Sequence, residues 1–249
     1  MYRQRLIQTP VNSTSAKQLQ DQLLAYHDFR QHKSNHPLGH AVQQLARWQS
    51  ERLRQTHQDL YQHPGYHHGL EFLLTDLYAP AGMTRRDDNI DRIFPKMVKW
   101  LPNHLLDTFR GLVELNLITQ RMDLRLGEWL HQQGVDPAQP EVSAYCEAFR
   151  ASDDGISRQR QIELVETVGG QLDRYVRNRS LGWLLSMTRG AAEMAELSDL
   201  HQFLHRGYSA FRSMDEVEPL IRRLVARETR VLEQIMAGHP EPFRVPDHL

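Results

Sequence analysis

Seven polar residues stand on helical faces that are otherwise apolar, and these residues are the ones with which the chain could do chemistry. Burying a polar or charged group is costly, so each of them needs a partner, access to water or a shifted pKa. Two kinds of site would explain them: a pocket, or a network of buried ion pairs and hydrogen bonds that fixes helix register. The seven are Arg52, Asn116, Thr119, Asp123, Arg158, His201 and Glu228.

The pocket interpretation makes the chain an enzyme with four candidate catalytic residues. Asp123 and Glu228, together with His201 and Tyr208, would suffice for general acid–base catalysis or for a metal site if the fold brought them together. His201 and His205 lie four residues apart, so both rings can reach one metal ion. No glutamate follows His201 to complete a zincin motif.

Other catalytic motifs are missing from the sequence. A ferritin-like di-iron site needs two Glu-x-x-His pairs, and only Glu128 with His131 makes one. There is no Gly-x-Ser-x-Gly motif and no glycine-rich phosphate loop after a strand. The single cysteine, Cys146, cannot form an internal disulfide and is expected to be a buried small hydrophobe. We therefore predict no metal and no cofactor, and we favour the network over the enzyme.

Two members of the predicted network, Arg52 and Asp76, can each be placed or paired in more than one way. Either Arg52 extends its charged head to solvent along its apolar stem, or it is buried and holds a carboxylate. Asp76 ends a helix, where the helix dipole disfavours an acid, so it should be held by an arginine: Arg85, Arg86, Arg92 or Arg52. The whole predicted network is Arg52, Asp76, Arg86, Arg92, Asn116, Asp123, Arg158 and Glu228.

The elements that must position these residues are helices. Apolar residues recur at three and four positions and no strand alternation persists, which predicts an all-α multi-helix bundle of about nine or ten helices. The longest helix is predicted over 103–133, with Asn116, Thr119 and Asp123 along the centre of its apolar face. Pro95 should kink or break the preceding helix. A further helix is predicted over 181–194.

Composition shifts divide the chain into three parts. Residues 1–15 are expected to be disordered or loosely attached, residues 16–237 to form a single all-helical domain, and residues 238–249 to form an extended tail. A stretch rich in Ser, Asp and Gly at 151–155 is an alternative boundary between two subdomains.

The charge balance and hydropathy point to a cytoplasmic protein. Lys and Arg total 30 against 31 for Asp and Glu, a net charge of −1, which gives no reason to expect binding to nucleic acid or to a membrane surface. No apolar run approaches the roughly 20 residues of a spanning helix. Arg223, Arg227 and Arg230 make a basic stripe that is predicted to be a solvated face of the last helix.

Phe72 to Tyr78, FLLTDLY, resembles the signature of the uncharacterised bacterial proteins named for an FFLEELY motif. Leu73 replaces the second Phe of that motif, and Thr75 and Asp76 replace its two glutamates. The resemblance extends from about Leu53 to Met236 and implies an intracellular helical protein, without any established activity. It also rests on Arg86-Asp87, Gln161-Ile162, Val168-Gly169, Leu172-Asp173-Arg174-Tyr175, Phe203-Leu204, Gly207, Ala210-Phe211-Arg212-Ser213-Met214 and Arg227-Glu228.

These observations favour a non-enzymatic protein-interaction or regulatory module, with or without a small-molecule pocket. The alternative is an enzyme, metal-dependent or not, that uses the inward carboxylates and a histidine. The partner, a protein or a small molecule, is not specified by the sequence, and neither is the oligomeric state. The deciding observation is whether the inward polar groups line one solvent-connected cavity.

Overall fold

The computed structural model describes residues 2–77, 84–152, 155–177, 198–214 and 216–246, and for residues 2, 76–77, 84–89 and 199–200 it describes the backbone alone. Eleven α-helices and one π-helical segment occur in these ranges, and no strand does. The predicted all-α bundle is confirmed, with more helices than the nine or ten expected. The predicted helix over 181–194 lies outside the described residues.

The helices vary in length from five residues to 30. The α-helix His67–Phe72 continues directly into the π-helical segment Leu73–Leu77. In chain order the elements are α1 Tyr2–Gln8, α2 Thr14–Ser34, α3 Gly39–Thr56, α4 Gln58–Gln62, α5 His67–Phe72, the π-helical segment Leu73–Leu77, α6 Thr84–Trp100, α7 Asn103–Gln132, α8 Val142–Ser152, α9 Ile156–Val176, α10 Ser198–Arg212 and α11 Val217–Met236.

Helix α7 is the longest of the described elements and packs against four other helices. Its 30 residues span about 45 Å, and it contacts α2, α3, α8 and α9 along this length. Close approach depends on small residues: a Cβ atom on Gly127 would lie 2.7 Å from Cγ2 of Val42 on α3. Helix α11 uses the same device against α9, where a Cβ on Gly169 would lie 2.8 Å from Cδ1 of Ile221.

The buried apolar residues form three clusters. One joins α1, α2, α3, α6 and α7, the second joins α3, α7, α8 and α11, and the third joins α4, α5, α9, α10 and α11. Cys146 belongs to the second cluster and is buried, as expected, and burial raises the pKa of its thiol. Phe243 of the C-terminal segment packs onto the same cluster, with its ring centroid 6.0 Å from that of Tyr145.

The N-terminal segment differs from the expectation of loose attachment. Leu6 of α1 is fully buried in the first cluster. The buried side chain of Gln20 on α2 donates hydrogen bonds of 2.7 and 3.0 Å to the carbonyl oxygens of Leu6 and Thr9. A helix of seven residues with one deeply buried leucine is too short to show a helical period, which is why the sequence pattern missed it.

Helix α6 continues through Pro95, so no break occurs there. Phe94 and Met97, on either side of the proline, are both buried in the first cluster. Their burial offsets the loss of one backbone hydrogen bond at the proline.

Candidate functional site

A cavity of about 980 Å³ lies among α2, α3, α7, α9 and α11. Its volume is at the upper end of the roughly 300–1,000 Å³ of small-molecule sites. The inward polar residues predicted from the sequence largely converge on it, although they come from four helices. Those that line it are Arg52, Asn116, Thr119, Asp123, Arg158 and Glu228.

Asp123 lies on the cavity wall and is almost fully buried, with 3% of its surface exposed. Gln49 on α3 donates a hydrogen bond of 2.8 Å to its Oδ1, and the hydroxyl of Tyr145 in turn donates to Oε1 of Gln49 at 3.1 Å. Burial raises the pKa of Asp123, although the charges of Arg158 and Lys33 and the Gln49 hydrogen bond oppose the shift. Asp123 therefore has a hydrogen-bond partner, and its carboxyl group ionises less readily than an exposed aspartic acid.

Glu228 on α11 is held by a cation and a histidine from the end of α3. Nη1 of Arg52 donates to both carboxylate oxygens at 2.8 and 2.9 Å, and Nε2 of His57 lies 2.8 Å from Oε1. Burial favours the neutral acid, but the Arg52 charge and the His57 hydrogen bond outweigh it and lower the pKa of Glu228 to about 2. The carboxylate is thus ionised, and His57 donates to it through Nε2.

Of the two placements predicted for Arg52, the structure has the buried one, because only 12% of its side chain is exposed. The solvent-directed placement is wrong because α11 supplies a carboxylate at the depth where the guanidinium lies. His57 was missed by the sequence pattern, since it follows the last residue of α3 as its C-cap. Its Nδ1 atom is buried and has no hydrogen-bond partner among the described residues.

Three neutral polar side chains and one lysine form a hydrogen-bonded chain that links α2 to α7 in the cavity wall. The hydroxyl oxygen of Tyr26 accepts hydrogen bonds from Nδ2 of Asn116 at 2.9 Å and from Nε2 of Gln120 at 3.0 Å. Nζ of Lys33 donates to Oε1 of Gln120 at 2.9 Å. Burial lowers the pKa of Lys33, and the negative charge of Asp123 opposes that shift. The sequence pattern identified Asn116 alone of these four residues.

Helix α9 closes the cavity on the side of Asp123. Nε2 of Gln161 donates to Oγ1 of Thr119 at 2.6 Å, and the Thr119 hydroxyl donates to the backbone oxygen of Leu115 at 2.8 Å. One turn further, the buried guanidinium of Arg158 lies over the ring of Phe149, 4.3 Å from its centroid. A cation at this distance is attracted electrostatically to the face of the ring, which helps to hold the Arg158 side chain there.

The four candidate catalytic residues are not assembled in this cavity. Asp123 and Glu228 line it, but His201 and Tyr208 are not among its lining residues. Both lie on α10, and Tyr208 packs against the third apolar cluster. Where α10 meets α5, a Cβ on Gly207 would lie 2.7 Å from the ring of Phe72, so an aromatic ring fills this contact. Within the described ranges, no three His, Cys, Asp or Glu residues are grouped as metal ligands.

The predicted clasp at Asp76 falls outside the described side chains, as does Arg86. Arg92 is partly buried on α6 and does not line the cavity. Its neighbour Asp91 is almost fully buried and accepts a hydrogen bond of 2.7 Å from Nη2 of Arg30. Asp91 precedes Phe94 by three positions, so the apolar face of α6 was the signal that could have identified it.

The prediction of a solvated basic stripe on α11 is wrong for Arg227, which is 1% exposed. Its two terminal nitrogens donate to the carboxylate oxygens of Asp59 at 2.6 and 2.8 Å. These hydrogen bonds lower the pKa of Asp59. Arg227 lies seven positions after Leu220 and four before Val231, so it shares their buried face.

Comparison with known proteins identifies a family of unknown function. A family model described as a domain of unknown function, DUF8198, matches residues 28–242. No curated protein and no solved structure matches the chain. Over the described residues, none of the helices has the length and apolar character needed to span a membrane.

Proposed function

The chain belongs to the DUF8198 family, whose function is unknown, and we propose that it is a non-enzymatic regulatory module. The module binds a small organic molecule in the cavity. The ligand would contact α2 near the start of the chain and α11 near its end. A ligand that binds only the native state stabilises the protein, and the gain rises with the logarithm of the ligand concentration once that exceeds the Kd. A bound ligand would therefore stabilise the packing of α2 and α11, and the surface of these two helices would be what a partner recognises.

One observation carries this proposal: polar residues from Tyr26 to Glu228 converge on one cavity of about 980 Å³. Protein interiors are close-packed, and an unfilled space of this size forfeits contacts that would stabilise the fold. Ion pairs whose only role was to fix helix register would be expected to close the space between them. An open space whose apolar walls carry a few convergent polar groups is typical of a ligand site.

The family resemblance at Phe72 to Tyr78 is part of the same proposal. Leu73 and Leu74 line the cavity from the π-helical segment Leu73–Leu77. Single π-helical turns occur frequently at functional sites. We therefore propose that the FFLEELY-like stretch supplies a wall of the ligand site, in a cytoplasmic protein that acts on a protein partner.

Filling the cavity tests the proposal. Val165 lines it from α9, and Val165→Phe should remove space, whereas Glu166→Phe adds the same ring at the exposed neighbouring position. Wild type and Glu166→Phe, incubated with a small-molecule cell extract and analysed by native mass spectrometry, should carry a ligand in one-to-one ratio. Val165→Phe should not. Equal ligand loading of Val165→Phe and wild type would show that the cavity is not the site.

An enzyme remains the second candidate because Asp123 and Glu228 line the same cavity with opposite pKa shifts. Two acids whose environments separate their pKa values are typical of acid–base catalysis. The contacts of Glu228 with Arg52 and His57 favour a structural role for that acid instead. Incubation of the bound compound with wild type and with Asp123→Asn distinguishes the two functions. Conversion by wild type alone would support the enzyme, and recovery of unchanged compound from both would support the binding module.

A further inference from the structure

The wall formed by α7 and α9 has a defined direction because the two helices run antiparallel. A Cβ on Gly111 would lie 2.9 Å from Cγ2 of Val168, and eight residues further along α7, Thr119 is hydrogen-bonded to Gln161. Positions further along α7 therefore lie beside earlier positions of α9. We call such a pair of facing positions a level of the wall. Residues at one level of the wall can therefore be compared directly.

Polarity increases along this wall. Leu112 and Leu115 on α7 line the cavity at about the level of Val165 on α9. The next level is the neutral pair of Thr119 and Gln161. The level after that holds the charged side chains of Asp123 and Arg158. With a rise of 1.5 Å per residue, the step from Leu112 to Asp123 covers about 16 Å.

Residues from other helices extend the apolar end. They come from α5, from the π-helical segment and from α11, and all are aliphatic. They are Leu70, Leu73, Leu74, Leu224 and Val225. A ligand that matched this end alone would be a hydrocarbon or an aromatic body.

The polar end carries a cation that is not bonded to a carboxylate. Lys33 on α2 is partly buried and lines the cavity, and its hydrogen bond goes to the neutral amide oxygen of Gln120 at 2.9 Å. No described carboxylate oxygen lies within 4.0 Å of its ammonium group. Arg30 and Arg52, which also line the cavity, each donate to a carboxylate, those of Asp91 and Glu228.

Resting on the proposed function, we infer that the ligand is an amphipathic organic acid. Its anionic head accepts a hydrogen bond from Nζ of Lys33, and its apolar body lies along Leu112, Leu115 and Val165. A partly buried cation with a neutral partner gains most from an anion that enters the same cavity.

Asp123 is compatible with an anionic ligand beside it. Burial raises the pKa of this acid, and a bound anion nearby would raise it further. In its protonated form the carboxyl group donates a hydrogen bond instead of repelling the ligand. The neighbouring Tyr26 and Asn116 supply neutral groups around the head.

A matched pair of fluorescent probes tests the ligand class. Anilinonaphthalene sulfonate has an anionic head on an aromatic body, and phenylnaphthylamine has the same body without the head. Wild type should bind the sulfonate in one-to-one ratio and more tightly than the neutral probe. Lys33→Met should weaken the sulfonate roughly tenfold or more, as expected for loss of a charged hydrogen bond, and should leave the neutral probe within about twofold.

Controls separate the role of Lys33 from that of the fold. Lys17 lies on the same helix, exposed and paired with Asp21, so Lys17→Met should bind both probes as wild type does. Lys33→Arg keeps the charge and should retain sulfonate binding. If Lys33→Met does not fold, which circular dichroism will reveal, Lys33→Gln replaces it in the same titration.

Two different results would contradict two different claims. Unchanged sulfonate affinity in Lys33→Met, or equal affinity of wild type for both probes, would overturn the acid class while leaving a ligand cavity in place. Unchanged binding of both probes by the cavity-filling variant Val165→Phe would overturn the ligand cavity itself.

Discussion

The guanidinium of Arg52 on α3 bonds both carboxylate oxygens of Glu228 on α11, at 2.8 and 2.9 Å, across 176 positions of the chain. His57 bonds the same carboxylate. Three side chains thus join the two helices beside the cavity and keep Glu228 ionised.

Glu228→Gln should destabilise the protein, because it leaves the Arg52 guanidinium partly buried without its carboxylate. We expect a loss of about 2–3 kcal/mol in the free energy of unfolding, below the value for a fully buried pair because 23% of the Glu228 side chain is exposed. Urea unfolding at neutral pH measures it. Glu218→Gln on the same helix removes an exposed pair with Arg222 and should have little effect. Equal stability of Glu228→Gln and wild type would contradict the structural role of this contact.

The contribution of Glu228 should disappear in acid. Its pKa is about 2 in the folded protein against an ordinary value of 4.5, so the unfolded chain takes up a proton first as the pH falls. The stabilisation is complete above about pH 4.5 and is lost as the pH falls towards 2. Urea unfolding of wild type and Glu228→Gln between these values should show their difference in stability narrowing. A difference that stayed constant down to the lowest pH would contradict the shift.

Asp123 should have the opposite pH dependence. Because its pKa is raised in the folded protein, the folded state holds a proton that the unfolded chain has released, and stability falls as the pH rises above the ordinary value of 3.8. Asp123→Asn keeps an oxygen for the Gln49 hydrogen bond and cannot ionise. It should be at least as stable as wild type at neutral pH, with a flatter pH profile. Lower stability with an unchanged profile would mean that the ionised carboxylate is required.

Arg227 and Arg230 should respond differently to the same substitution. Arg227→Met removes a buried guanidinium from Asp59 and should cost about 2 kcal/mol, limited because Asp59 is itself 40% exposed. Arg230 is exposed and pairs only with its helix neighbour Glu233 in the described structure, so Arg230→Met should change the unfolding free energy little. Thermal unfolding of the two variants compares them. Equal effects would restore the interpretation of α11 as a solvated basic stripe.

Gly169 and Gly170 provide a further matched pair. A Cβ on Gly169 would lie 2.8 Å from Cδ1 of Ile221, so Gly169→Ala should separate α9 from α11 and destabilise by roughly 1–3 kcal/mol. At Gly170 no atom lies within 4 Å of an added Cβ, and Gly170→Ala should stabilise by about 0.5–1 kcal/mol through helix propensity. Urea unfolding measures both. Stabilisation by both substitutions would contradict the close contact of these helices.

The sequence was sufficient for the fold class and for six of the polar residues that line the cavity. Both follow from the helical period, which is a local property: Asn116, Thr119 and Asp123 lie on one face of α7 whatever packs against it. The same period also located most of the helices. It failed where an element was short, as in α1, or where a charged residue was assigned to solvent, as with Arg227.

The tertiary structure alone decided which of those polar residues meet. No local pattern distinguishes Glu228, which reaches the cavity, from His201, which lies on α10 outside its lining. The cation that holds Glu228 lies 176 positions away in the chain. Lys33 became a candidate binding residue only because it lines the cavity beside Gln120, its hydrogen-bond partner on α7. The helical period sets the direction of a side chain relative to its own axis, but the packing of helices distant in sequence sets what lies opposite it.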